Sequence, residues 1–205
     1  MNQRLAHFLS VVLHPAIVPS YIVAVVFFAA SVLVPYDAEA KFTLLTLVFA
    51  TTFVIPAGSL LISYRSGLIA TLEMADRRER IGPFLMMAIF YTLTSGFFLV
   101  KLANVPILPN ILVGITFAIL LVTVITLFFK VSVHSTGVSG MLGTFMVLQY
   151  LYPEATLYYP IIATFFLLGA LMTARLALNA HTPAEVLVGA VLGFSTCTGV
   201  FLVFN

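Results

Sequence analysis

Residues 174–185 read Ala-Arg-Leu-Ala-Leu-Asn-Ala-His-Thr-Pro-Ala-Glu and hold an arginine, a histidine and a carboxylate in the spacing Arg-x5-His-x3-Glu. If 181–185 open a helix, His181 and Glu185 lie one turn apart on one face. A carboxylate at that separation holds one ring N–H of the imidazole. It fixes the tautomer and leaves the other nitrogen as a nucleophile or base. Arg175 adds a forked donor suited to phosphate oxygens. Two further polar segments lie upstream. Residues 64–83 (YRSGLIATLEMADRRERIGP) contain Arg65, Glu73, Asp76, Arg77, Arg78, Glu79 and Arg80, and residues 130–137 (KVSVHSTG) contain Lys130 and His134. Two histidines, a carboxylate and several arginines fit phosphoryl transfer without a metal or cofactor. His7 and His14 read as interfacial side chains, and the one cysteine, Cys197, lies in an apolar run, which excludes an internal disulfide and a multi-cysteine metal site.

The elements that must carry these residues are set by composition. Of 205 residues 62% are hydrophobic and 8% charged, nine Lys or Arg against seven Asp or Glu, with a mean hydropathy of +1.18. An ordinary soluble domain is about 45–50% apolar and about 25% charged. Sixteen charges do not cover this much apolar surface in water, so disorder, coiled coil and soluble folds are excluded and an integral membrane protein is expected. A net charge of +2 gives no argument for nucleic acid.

Seven stretches have the length and apolarity of membrane crossings or nearly so: 16–35, 42–63, 84–103, 108–129, 137–152, 158–174 and 184–204. Backbone groups in lipid must be bonded internally, which makes each a helix. The ~10-residue alternation of a membrane β-barrel is absent. The expected architecture is an all-α polytopic transmembrane bundle of six to seven spans, one domain over 1–205, with a polar site at one membrane face. Pro35, Pro83, Pro106, Pro109, Pro153, Pro160 and Pro183 stand where spans stop, whereas Pro56 predicts a kink inside the second. Gly137, Gly140 and Gly143 suit close packing of the fifth. The first 15 residues read as an interfacial lead-in to a retained helix, not a cleaved signal. No strong internal repeat favours a transporter.

The three polar segments each follow an even-numbered span and so emerge on one face. There the sequence resembles the type 2 phosphatidic acid phosphatase and haloperoxidase superfamily, in its membrane lipid phosphatase branch. That family carries the motifs K-x6-R-P, P-S-G-H and S-R-x5-H-x3-D. The third is matched in spacing by Ala174, Arg175, His181 and Glu185, with Ala for Ser and Glu for Asp. The second is partial, Val131-Ser132-Val133-His134. In the first, Arg80 lies three residues before Pro83 and Glu73 stands where Lys is expected. The similarity covers about residues 40–200. It implies a hydrolase in which His181 attacks phosphorus to form a phosphohistidine, Glu185 orients it and His134 protonates the leaving alcohol. Arg175 and Arg80 hold the phosphate, with Arg77, Arg78, Lys130 and Ser132 as further phosphate contacts. The implied substrate is a phosphomonoester or pyrophosphate of a membrane lipid.

The motif departures and short loops also fit a second expectation, a non-catalytic subunit or scaffold of a membrane complex that keeps this fold. Sidedness is read two ways. Arg4, Arg65, Arg77, Arg78, Arg80, Lys130 and Arg175 share the site face against Lys41 and Lys101, which places that face in the cytoplasm. The resemblance instead implies an extracytoplasmic site on a bacterial inner membrane.

Overall fold

A computed structural model of the chain describes residues 1–69 and 77–204; Glu73 and Asp76 of the second polar segment lie outside them. The described residues are helical throughout, with no strand: α1 (Gln3–Val12), α2 (Val18–Phe28), α3 (Ala38–Phe49), α4 (Ile55–Arg65), α5 (Arg77–Lys101), α6 (Ile107–Thr126), α7 (Val133–Leu151), α8 (Tyr158–Ala177) and α9 (Pro183–Phe204). Among them, five helical stretches are long and apolar enough to cross a membrane: Ala38–Arg65, Arg77–Lys101, Ile107–Thr126, Tyr158–Ala177 and Pro183–Phe204. They are what an integral membrane protein requires. The stretches at 16–35 and 137–152 take other forms. The first holds a helix of only 11 residues, α2, followed by a 3-10 turn at Ser31–Leu33. The second is α7, 19 residues rich in Gly, Ser and Thr.

α7 is the centre of the bundle. It packs most heavily on α9, then on α8, α2 and α6, while α5 lies behind α6. Its buried side chains include Val138, Phe145 and Leu148. Large apolar residues such as Val100, Phe166 and Tyr159 point outward instead, as a lipid-facing surface would. Lipid tails are as apolar as leucine, so burial against lipid does not drive helices together; close packing of small residues does. α7 and α9 meet through glycines. A Cβ at Gly193 would run into the Thr136 carbonyl oxygen, one at Gly189 would sit 2.5 Å from the Ser132 carbonyl oxygen, and one at Gly143 would sit 2.7 Å from the Phe194 carbonyl oxygen. Gly189 and Gly193 form a G-x3-G pair on α9, a signal of such contact.

The prolines have individual consequences. α3 and α4 are one continuous helix interrupted by a π turn at Ala50–Val54, just ahead of Pro56. Proline cannot bond the carbonyl four residues back, here Thr52, and the Tyr91 hydroxyl of α5 donates to that oxygen at 3.0 Å. Pro83 does not mark the start of a span. The described part of α5 opens at Arg77 and runs through Pro83, which gives up the bond to the Glu79 carbonyl while the rest of the helix continues. The longer helix puts Arg80, Pro83, Phe84, Ala88 and Tyr91 on one buried stripe, so Arg80 faces inward.

Gly193→Ala is expected to lower stability by about 1–3 kcal/mol, because its Cβ meets backbone and not a flexible side chain. Gly199, on the same helix with open space around its Cα, is the control: Gly199→Ala should be neutral or stabilising by up to about 1 kcal/mol. Thermal unfolding of both variants in detergent checks the contrast.

Candidate functional site

Two helix-end motifs bracket His181. α8 ends at Ala177, and beyond it Asn179 takes the left-handed conformation at φ 51°. The Asn179 amide donates to the Leu176 carbonyl at 2.9 Å and the Ala180 amide to the Arg175 carbonyl at 3.1 Å. This is a Schellman closure, with Asn at the position that favours Gly or Asn. Two residues later α9 opens with Thr182-Pro183-Ala184-Glu185. The Glu185 amide donates to Thr182 Oγ1 at 3.3 Å, and the Thr182 amide to Glu185 Oε2 at 3.4 Å. That reciprocal pair is a capping box with proline at the first helical position. His181 is caught between the two motifs.

Glu185 Oε2 also accepts from His181 Nδ1 at 2.7 Å. The imidazole is 2% exposed and the carboxylate 13%, so the pair is shielded from water. A carboxylate oxygen accepts from the Nδ1–H, which leaves the lone pair on Nε2. Burial pushes the His181 imidazole down to about 4; the Glu185 bond works against that shift, and Arg80, Arg175 and Lys130 add to it. The ring is therefore neutral at physiological pH.

The surrounding cations come from three other elements. Arg80 is buried on α5, Arg175 is in the last turn of α8, and Lys130 is in the link between α6 and α7. Lys130 Nζ donates to the Ala180 carbonyl at 3.1 Å, tying that link to the His181 turn. Burial lowers the Lys130 ammonium, Arg80 and Arg175 add to the effect and Glu185 opposes it. His134, in the first turn of α7, lies within electrostatic reach of Arg175, His14 and His181. The link is also stitched to α9 by the Ser132 amide, which donates to the Glu185 carbonyl at 3.1 Å.

The fold thus gathers His181, Glu185, His134, Arg175, Arg80 and Lys130 at one end of the bundle, where α5, α7 and α9 begin. The other three candidates are placed differently. Arg77 Nη1 donates to the Leu127 carbonyl at 2.7 Å, at the carboxyl end of α6, a bracing contact that also answers the helix dipole. Arg78 lies on the exposed face of α5. The Ser132 side chain caps α7, accepting from the Ser135 amide and hydroxyl.

Two residues here were not expected from their type. The Ser10 carbonyl accepts from His134 Nε2 at 3.1 Å, and Ser10 Oγ accepts from Arg175 Nη1 at 3.1 Å. His14 sits edge-on to His134 with ring centroids 5.6 Å apart. Ala6 and Ser10, one turn apart, are the two buried residues of α1, and His14 lies just past the end of that helix. A small slot lined by Pro15, Val18, Ile119, Gly137, Gly140 and Cys197 runs between α2, α6, α7 and α9. Among the described residues no three His, Cys, Asp or Glu side chains gather closely enough to hold a metal ion.

Comparisons with protein-family models, curated proteins and solved structures found no match.

Between pH 6.5 and about 4 the unfolded chain takes up a proton that folded His181 refuses. The stability that His181 contributes is complete above pH 6.5 and is lost as pH falls toward 4. The apparent Tm should drop over this window, and by less in His181→Gln, as measured by thermal unfolding at about pH 4.5 and about pH 7.5.

Proposed function

We propose that this chain is a lipid phosphate phosphatase of the type 2 phosphatidic acid phosphatase kind, hydrolysing a phosphomonoester or pyrophosphate of a membrane lipid. The observation that carries the reading is the buried His181–Glu185 pair within electrostatic reach of Arg80, Arg175 and Lys130. A neutral imidazole with its proton held on Nδ1 has its Nε2 lone pair ready for phosphorus. Guanidinium and ammonium groups fixed nearby oppose the charge that develops on the phosphoryl oxygens. His134 Nε2 carries a proton, since its partner is a carbonyl; with an anionic substrate bound beside it the ring takes up a second proton, and this imidazolium would give one proton to the leaving oxygen and return to neutral imidazole. Water then attacks the phosphohistidine, releasing inorganic phosphate and restoring His181.

A lipid substrate is supported by the place of these residues at one end of a bundle whose helices are long and apolar enough to cross a membrane. In this reading the chain makes seven passes in a bacterial inner membrane. α2 starts beside the site, and the Ser31–Leu33 turn that follows it packs on Pro153–Ala155, beyond the far end of α7. A short helix plus a turn thereby covers the height of the bundle. Arg80, Arg175 and Lys130 serve the phosphate, Ser132 holds the α7 terminus, and Arg77 and Arg78 contribute field at a distance.

Purified protein should release phosphate from a panel of phosphatidate, prenyl-phosphate and lipid-A-type substrates. His181→Ala should cost at least about 10³-fold and His134→Ala about 10²–10⁴-fold. Acid limbs of kcat/KM should fall near pH 4, where His181 protonates, and brief incubation with ³²P-labelled substrate should trap an acid-labile, base-stable phosphoprotein absent from His181→Ala. Equal release by wild type and His181→Ala, or none by either, would leave the scaffold reading in its place.

A further inference from the structure

Ser10 presents two oxygens to the site, and they meet two of the donors assigned above to the substrate. Its carbonyl accepts from His134 Nε2 and its hydroxyl from Arg175 Nη1, each at 3.1 Å. Two oxygens on one small residue, spanning a proton donor and a guanidinium, occupy the place of two oxygens of a phosphate. That carbonyl is available because of where it sits. Carbonyls in the last turn of a helix have no partner four residues on, and the His14 amide, which would have served Ser10, donates to the Val11 carbonyl instead.

Besides this contact, α1 has few buried residues to anchor it. It packs chiefly against α8, and of its ten residues only Ala6 and Ser10 are buried. Leu5, Phe8 and Val11 face outward. The helix joins the bundle through the turn at 13–17, where the Ile17 amide bonds the His14 carbonyl and the Ala16 amide bonds His14 Nδ1. The Tyr21 hydroxyl of α2 also donates to the Val12 carbonyl at 3.0 Å, so the last residue of α1 and the turn can stay on the bundle while residues 3–11 move.

We propose that α1 is a latch on the candidate site: Ser10 stands in for a phosphate monoester between His134 and Arg175, and binding of a phosphate-bearing ligand displaces it and lifts the helix. The proposal rests on the phosphate-site reading of the preceding section. Opening exchanges two hydrogen bonds to neutral oxygens of Ser10 for two to an anionic phosphate, the stronger acceptor. With the latch closed, His134 and Arg175 are spent on the chain itself and the site is guarded against water.

The test uses the full chain with Ala6→Cys, in detergent, labelled with a water-soluble maleimide. Cys197 is buried, so the label reads position 6, and Val11→Cys gives the rate for an open position. Inorganic phosphate and short-chain phosphatidate are added in separate arms, and binding of each is measured by equilibrium dialysis. The latch predicts slow labelling of the Ala6→Cys thiol that rises about fivefold or more with ligand, and a faster ligand-free rate when Ser10→Ala removes the Arg175 contact. Acceleration by phosphatidate alone assigns the occupant to a lipid headgroup, and acceleration by both shows that phosphate suffices. Ligand bound with the labelling rate at position 6 unchanged, or Ala6→Cys labelled as fast as Val11→Cys from the start, overturns the latch and leaves the phosphate site standing. Binding of neither ligand by wild type or Ser10→Ala overturns the phosphate site and the latch together. Amide hydrogen exchange of 3–12 in the unsubstituted protein, with and without ligand, gives the same readout should Ala6→Cys misfold.

Discussion

The backbone contact between α7 and α9 is the constraint on which the polar end depends. In lipid, two helices gain nothing by hiding apolar surface from one another, and their spacing is decided by how closely their backbones approach. Gly189, Gly193, Gly140 and Gly143 remove the side chains that would hold α7 and α9 apart. Gly189 faces the Ser132 carbonyl, and the Ser132 amide bonds the Glu185 carbonyl. The first turns of the two helices are thereby locked side by side. His134 belongs to one first turn and Glu185 to the other, with His181 just ahead of it. A shift of one helix along the other would separate the histidines before it disturbed the apolar core.

Glu185 shows how much local structure a single carboxylate can carry. As the third residue of α9 it closes the capping box on the Thr182 amide, and with the same oxygen it holds His181 Nδ1. Capping boxes use Glu or Gln because the side chain must reach back across a full turn. The longer side chain that departs from the Asp of the resembled motif therefore fits both duties at once. The orientation of the imidazole is then as firm as the helix terminus itself.

Much of this was legible in the chain. The spans expected at 42–63, 108–129 and 184–204 contain or lie within Ala38–Arg65, Ile107–Thr126 and Pro183–Phe204 to within a few residues, because hydropathy over about twenty residues is a strong signal in lipid. The spacing Arg-x5-His-x3-Glu pointed to its own pairing, since an i, i+4 contact is local. What was not legible depends on distance along the chain. Ser10 reaches Arg175 across 165 residues, and nothing in the type of residue 10 announces it. Pro83 misled because the loss of one ladder bond does not by itself end a helix, so α5 runs through it and carries Arg80 inward. The brevity of α2 was hidden because an apolar run continues through residues that turn away from the helix.

Electrostatics explains why such an end would take an anion. Arg80, Arg175 and Lys130 lie around His181, and each disfavours a further positive charge on it. Burial and Arg80 make the ammonium of Lys130 less favourable than in water. In a membrane protein with so few charges, cations held near one another at a partly dry site repel one another. A dianion relieves the mutual repulsion of all three at once, whereas the neutral oxygens of Ser10 relieve only the hydrogen-bonding demand of Arg175 and His134. The two occupants therefore differ in the term that matters most, charge, and that difference is what would let a phosphate displace a helix of the protein's own chain.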